Sequence, residues 1–214
     1  VAFIEVPGWV SAPREDLRER LNSGMSFDTP LDAPNVTHWL HNMDNDNVLG
    51  MMQHLGMKNS IHDNVKLIFI PCYLTGEDGI VDMDYYDVVL GNDMCVYPSY
   101  YEPWGYTPLE AIAFKVPCIT TDLAGFGLWA NTVKGDVSKL EDGVEVVHRT
   151  DYNYDQVVND IADTIYRFAL LPNADIKKIR NNAQSLSKKA LWSKFIKYYL
   201  DAYDFALQKA SNRV

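Results

Sequence analysis

Long apolar runs are missing from this 214-residue chain. None approaches the roughly eighteen residues that a membrane-spanning helix needs. No transmembrane helix is predicted, and the expectation is a cytoplasmic protein without a membrane partner. Cysteine is scarce. Cys72, Cys95 and Cys118 are three in number, so they cannot all pair, and each lies on or beside an apolar run. Such usage implies free, buried thiols in a reducing compartment. Metal-ligand spacing is also missing. There is no Cys-x-x-Cys, and His38 and His41 have no third ligand near them in sequence. Asp44-Asn-Asp-Asn47 lacks the glycine and the distal glutamate of a calcium loop and reads as loop and helix start. No metal and no bound cofactor are predicted. Basic residues are few, with a formal net charge of −10 that is unevenly spread. Residues 1–174 hold 10 Lys and Arg against 26 Asp and Glu, whereas residues 175–214 hold 9 against 3. An acidic body argues against nucleic acid as a partner.

What is present is a globular composition, 47% hydrophobic and 12% aromatic, enough for the chain to bury a core as one domain. Residues 1–6, 65–70, 94–97, 116–120 and 144–147 are short, β-branched apolar runs that read as buried parallel strands. Candidate helices lie between them at 13–21, 47–57, 82–90 and 108–115, with Gly24 ending the first. Strand alternating with helix predicts an α/β fold with a parallel sheet and flanking helices. After residue 150 the pattern turns helical. Val157, Ile161, Ile165 and Phe168 share one face, then Ile176, Ile179, Ala183 and Leu186, then Trp192, Phe195, Tyr199 and Tyr203. The last set is expected to pack a helical tail onto the sheet. The organisation predicted is a body of residues 1–171 followed by C-terminal helices at 172–214.

The most informative stretch is Glu102-Pro-Trp-Gly-Tyr-Thr-Pro-Leu-Glu110, which sets two carboxylates eight positions apart across a turn and a helix start. The strand before it ends at Pro98. Thr107 suits the N-cap of the following helix, Pro108 its first position, and Glu110 the far side of a capping box. The backbone N–H groups of Gly105, Tyr106 and Thr107 are then expected to face outward at a helix N-terminus, where phosphate binds. In an open α/β sheet that is the ligand edge, beyond the carboxyl ends of the strands. A cap explains Glu110 without any ligand, and both roles fit a carboxylate. Glu102, in a loop, has no cap to make. An acidic body repels a diphosphate, so cations are needed, yet Lys115 is the only lysine or arginine between Lys66 and Lys134.

Tyr97-Pro-Ser-Tyr-Tyr-Glu-Pro-Trp-Gly-Tyr-Thr-Pro108 resembles the donor-site signature of glycogen synthases of the animal and fungal type, glycosyltransferase family 3. Thr37-His-Trp-Leu-His-Asn-Met43, Asn64-Val-Lys-Leu-Ile-Phe-Ile-Pro71, Asp84-Tyr-Tyr-Asp87 and Thr120-Thr-Asp-Leu-Ala-Gly-Phe-Gly127 resemble that family in the same order. The resemblance is close over about residues 30–130 and looser in the helical tail. It implies the C-terminal, Rossmann-like donor-nucleotide half of a GT-B glycosyltransferase. The N-terminal domain would be the partner in a longer parent chain, and a homo-oligomer stays open. It implies retaining transfer of glucose from UDP-glucose, a substrate rather than a cofactor, to the non-reducing end of an α-1,4-glucan. Glu102 would be the catalytic residue beside the transferred glucose. Trp104 would wall the sugar, Gly105, Tyr106 and Thr107 would hold the diphosphate, Glu110 the ribose, and Tyr85 the uracil.

Family members place a further arginine and lysine on the donor phosphates, upstream of where this sequence opens, so the chain alone is expected to be inactive. Animal and fungal members also carry an arginine-rich helix for glucose 6-phosphate. Its counterpart Lys177-Lys-Ile-Arg-Asn-Asn-Ala-Gln-Ser-Leu186 keeps three basic residues but has Asn182 and Ser185 where arginines are expected, and reads as a solvated basic face. A serine-rich phosphorylation tail is not found, which fits a bacterial origin. Two other readings are a retaining GT-B enzyme with another donor or acceptor, and a module that only binds nucleotide. Stacking on a tyrosine does not choose between uracil and adenine.

Overall fold

A computed structural model of the chain describes residues 1–211. By compactness the chain divides into two units, Val1–Val88 and Val89–Val214. This division differs from the one at residue 171 suggested by the helical pattern. Among the described residues no helix is long and apolar enough to cross a membrane.

In the first unit, strand β1 (Ala2–Glu5) pairs in parallel with β4 (Leu67–Ile70). Residues 35–37 continue that sheet on the other side of β4 through the Val36–Phe69 bridge. The chain then runs into β3 (His38–Leu40), which pairs antiparallel with β2 (Val10–Pro13). This antiparallel pair was not expected. Ser11-Ala-Pro-Arg-Glu15 reads as a helix start, but helix α1 (Glu15–Ser23) begins only after the strand and ends at Gly24. Arg14, 1% exposed, joins these pieces. Its guanidinium donates to the Ala33, Asp32 and Val36 carbonyls and to Asp16, and lies 4.4 Å from the Trp39 ring centroid. Helix α2 (Asn47–His54) is capped by Asp46, whose carboxylate accepts from Val48 and Leu49 N–H. The apolar centre is Val36, Leu40, Met52 and Phe69.

The unit boundary falls within α3 (Tyr85–Gly91). The second unit is a β-α-β-α-β run: β5 (Cys95–Val96), α4 (Tyr106–Ala113), β6 (Cys118–Thr121), α5 (Gly125–Lys134) and β7 (Val144–Val147). Its three strands are parallel, in the order β5-β6-β7. Strands β6 and β7 are buried along their whole length, the polar Thr120, Thr121 and Glu145 included, so they show no alternation of buried and exposed positions. Ile112, Cys118, Phe126, Val144, Val146 and Ala183 form the main core. Helices α6 (Tyr154–Ala169) and α7 (Asn173–Ser187) pack on this framework through Val157, Phe168, Ile179 and Ala183, as their periodicity predicts, whereas Ile165 of the same expected face is exposed and its neighbour Thr164 is buried. Helix α8 (Trp192–Ser211) does not behave as expected: it has no buried residue, and Trp192, Tyr199 and Tyr203 are 50–60% exposed. Only Phe195 of that aromatic set joins the body, against Trp104 and Trp129.

Candidate functional site

The carboxyl ends of β5, β6 and β7 open into three loops that are bonded to one another. Thr121 Oγ1 donates to the Ser99 carbonyl at 2.7 Å, and Arg149 Nη1 to the Pro98 carbonyl at 2.7 Å. The Asp122 carboxylate accepts from Arg149 N–H at 2.9 Å and meets His148 Nδ1 at 2.5 Å. Tyr100 donates to Asp151, which holds its phenol above the usual range through that bond, while the Arg149 guanidinium lies 4.8 Å from its ring centroid. Glu102 sits in this ligated edge. Its N–H donates to the Leu123 carbonyl at 3.2 Å, and its own carbonyl accepts from Gly125 at 3.0 Å. Phe126 N–H closes the next rung on the Trp104 carbonyl at 2.6 Å. The loop thus lies against residues 123–126 as a short extension of the sheet. Only glycine at 125 permits that approach, because a Cβ there would stand less than 3.0 Å from the Pro103 carbonyl oxygen.

The helix after this loop starts earlier than the sequence suggests. Gly105, at φ 101°, is the cap of α4, and Tyr106 is its first residue. Thr107 and Pro108 therefore lie inside the first turn, and no side chain caps the helix. The capping box that offered an alternative account of Glu110 is absent, because a cap residue must stand outside the helix. Positive φ is open to glycine at little cost, which lets the chain enter the helix two residues sooner. Pro108 is tolerated there because the first N–H groups of a helix have no partner within it. Gly105, Tyr106 and Thr107 supply the N–H groups of this end, Tyr106 and Thr107 being exposed. Glu110 follows one turn on, half-buried. Lys115 is past the other end of α4, about 12 Å of helix away, and does not serve as the cation for that end.

Trp104 is half-buried among rings: Phe126 at 6.0 Å and Phe195 at 5.4 Å, both edge-on, and Trp129 at 5.8 Å. These contacts make Trp104 an anchor for the loop. Tyr85 opens α3 at the end of the first unit, half-buried, with Tyr86 beside it 48% exposed. Six of the seven predicted site residues thus belong to one loop and helix of the second unit, and Tyr85 to the first. A separate cleft of about 560 Å³ beside β7 and α6 is lined by Lys139, Glu145, His148, Asp163 and Arg167. Within it the Glu145 carboxylate meets Lys139 at 3.2 Å, Arg167 at 3.5 Å and Leu140 N–H at 2.8 Å.

A family model described as glycogen synthase matches residues 22–213. The chain belongs to the glycogen synthase family. It is 34% identical over 177 residues to glycogen (starch) synthase isoform 1 of Saccharomyces cerevisiae, covering 83% of this chain and 25% of that protein. The Neurospora crassa glycogen (starch) synthase is 32% identical over 200 residues, 94% of this chain and 28% of that protein. The Mus musculus liver glycogen (starch) synthase is 32% identical over 177 residues, 83% of this chain and 25% of that protein. The chain therefore spans about a quarter of the length of these relatives.

In this family member the basic stretch of α7 is partly committed to structure. Arg180 donates to the Asn92 carbonyl and to Asp93, both at 3.2 Å, and Asn182 to the Glu141 carbonyl at 2.8 Å. Lys177 and Lys178 are exposed. Spacing rules missed one further cluster, in the first unit. His38, Cys72 and Asp78 bring their ligand atoms within 4.8 Å of one another, although 34 residues separate the first two. His41, the sequence neighbour weighed with His38, is exposed and stacks on Trp9 instead. No local pattern announces such a cluster, because β3 and the loop after β4 meet only in the fold.

Proposed function

We propose that the chain is the donor-nucleotide part of a glycogen synthase of the animal and fungal type, glycosyltransferase family 3. The reaction would be retaining transfer of glucose from UDP-glucose to the 4-hydroxyl at the non-reducing end of an α-1,4-glucan. One observation carries the reading: the family's glutamate loop, pinned on residues 123–126, feeds a helix whose uncapped N-terminus lies beyond the carboxyl end of β5. In it, Gly105, Tyr106 and Thr107 N–H groups receive the diphosphate, Glu110 the ribose hydroxyls, and Tyr85 the base. Glu102 stabilises positive charge developing at the anomeric carbon, and Trp104 walls the sugar while holding the loop. The bond from C1 to the phosphate oxygen breaks as the acceptor oxygen bonds C1 on the same face. The acceptor proton passes to a donor phosphate oxygen, and no divalent metal or bound cofactor takes part. Electrostatic stabilisation of the departing diphosphate supplies most of the rate.

The acidic body and the remoteness of Lys115 support a second element of the proposal: the cations for the diphosphate come from an arginine and a lysine in the parent's segment just upstream of residue 1. The chain alone is then inactive. We take the parent to be cytoplasmic, since three cysteines on or beside apolar runs, an odd number, suit a reducing compartment. The test is glucose transfer to glycogen by the full-length enzyme. Glu102→Gln is expected to lower turnover by about 10²-fold or more, the scale of losing one transition-state contact, while UDP still binds. Turnover within a few-fold of the unaltered enzyme, or turnover by the chain alone, would count against the assignment. ADP-glucose as a faster donor than UDP-glucose would favour the reading with a different donor.

A further inference from the structure

His38 opens β3, Cys72 follows β4 by two residues, and Asp78 lies in the loop before α3. The His38 and Asp78 side chains are each 2% exposed, and Cys72 is half-buried. His38 Nε2 is 2.9 Å from the Asp78 backbone carbonyl and 3.7 Å from its Oδ1. Asp78 is held firmly: Oδ1 accepts from Ile80 and Val81 N–H at 3.1 and 2.8 Å, and Oδ2 from Asp82 N–H at 2.8 Å. We propose that His38 Nε2, Cys72 Sγ and Asp78 Oδ1 form a binding site for one divalent metal ion of the zinc class.

Geometry, charge and the proton partners agree on this. Ligands of a tetrahedral zinc ion stand roughly 3.3–3.6 Å apart, so the cluster closes on an ion with shifts of at most about 1 Å. One nitrogen, one sulfur and one oxygen donor suit zinc, whereas magnesium and calcium take oxygen sets. Among the described residues Asp78 has no lysine or arginine partner, and His38 is its only ion-pair neighbour. Three N–H groups stabilise the Asp78 carboxylate in its charged form, which is the form that ligates a cation. A coordinated thiol is deprotonated outright. On binding, one proton leaves Cys72, and the ring exchanges its bond to the Asp78 carbonyl for the ion.

The ring's remaining proton then sits on Nδ1 and is donated to Thr37 Oγ1 at 2.8 Å, whose hydroxyl donates to the Phe69 carbonyl at 3.3 Å. A ligating histidine whose other nitrogen is fixed in this way is the usual outer arrangement of zinc sites. Three protein ligands leave a fourth position for water. The ion would tie β3 to the loop that the Thr75–Asp84 bridge and the Tyr85 N–H bond to Leu74 close just before α3. It would thereby brace the entry to Tyr85.

The test is titration of the chelator-stripped chain with Co²⁺, reading the thiolate-to-cobalt charge-transfer band, followed by competition with Zn²⁺. One equivalent should develop the band, and Zn²⁺ should displace it. Cys72→Ser should abolish it, Cys95→Ser should leave it intact, and Thr37→Val should weaken affinity by about 10- to 100-fold. Asp78→Asn keeps the acceptor for the Ile80 and Val81 bonds but loses the one for Asp82 N–H, so it is read only with folding checked by circular dichroism, and should weaken affinity at least as much as Thr37→Val. A band that never appears, or one that survives in folded Cys72→Ser, overturns the proposal.

Discussion

Replacing Gly125 by alanine attacks the glutamate loop from behind. The added Cβ would lie less than 3.0 Å from the Pro103 carbonyl oxygen, 3.1 Å from its carbon and 3.2 Å from Trp104 Cα, all backbone atoms that no rotamer can clear. The loop must retreat by about 1 Å to restore ordinary contact. That retreat strains the bonds of Gly125 N–H to the Glu102 carbonyl and of Phe126 N–H to the Trp104 carbonyl. Two weakened bonds at about 0.5–1.5 kcal/mol each, with about 1–3 kcal/mol of overpacking, give a loss of roughly 2–6 kcal/mol. Alanine's better helix propensity offsets at most about 1 kcal/mol of it, since Gly125 opens α5. In the full-length enzyme a 1 Å displacement of Glu102 should lower turnover by about 10²-fold. Urea unfolding of the chain and glucose transfer by the enzyme measure the two effects. Gly135→Ala is the control: its φ of 77° penalises alanine, but nothing lies within 4 Å of the new Cβ. It should cost about 1–2 kcal/mol and leave transfer unchanged. If Gly125→Ala is no worse than Gly135→Ala in both assays, the loop is not held as argued.

Further outcomes follow from other particulars. Lys115 adopts φ 66° just after α4, so Lys115→Gly should stabilise the chain by about 1 kcal/mol in urea unfolding. Phe195→Ala removes edge-on contacts to Trp104 and Trp129, and should speed tryptic cleavage within α8 and reduce the near-ultraviolet circular dichroism of the tryptophans. Acid should weaken the first unit. The hydrogen bond from Arg14 holds the Asp16 carboxyl below its usual range. Burial pushes Asp78 upward but is outweighed by the N–H groups of Val81, Asp82 and Ile80 and by the charge of His38. A depressed carboxylate stabilises the fold above its unfolded value and loses that stability as pH falls through the folded one. Hydrogen exchange in β1 and β4 should therefore be unaffected by these groups from pH 5 to 7 and accelerate below about pH 4. Arg14→Met should remove the Asp16 share, a modest one because Asp16 is 39% exposed.

Much of this architecture was legible because burial writes itself into sequence. The runs read at 65–70, 116–120 and 144–147 hold the parallel strands β4, β6 and β7, and the faces of α6 and α7 pack where periodicity puts them except at Ile165, which is exposed. The start of α4 was misjudged by two residues because Thr107 and Pro108 imitate a cap, while the turn is made by backbone freedom at Gly105. The antiparallel β2–β3 pair was hidden because Pro13 and Glu15 look like a helix start and the partner strand lies 25 residues away. Helix α8 has an apolar stripe that implies burial, yet periodicity does not say against what, and most of that stripe is exposed on this chain. The role of Trp104 as a packed anchor depends on rings from α5 and α8, which no local pattern supplies.

The central claim is that the loop and helix start at 102–110 hold the donor diphosphate. Hydrogen–deuterium exchange of the full-length enzyme with and without saturating UDP tests it most directly. The account predicts slowed exchange in the peptide containing Gly105, Tyr106 and Thr107, and a smaller effect at Tyr85. UDP that inhibits glucose transfer yet leaves exchange in that peptide unchanged would contradict it.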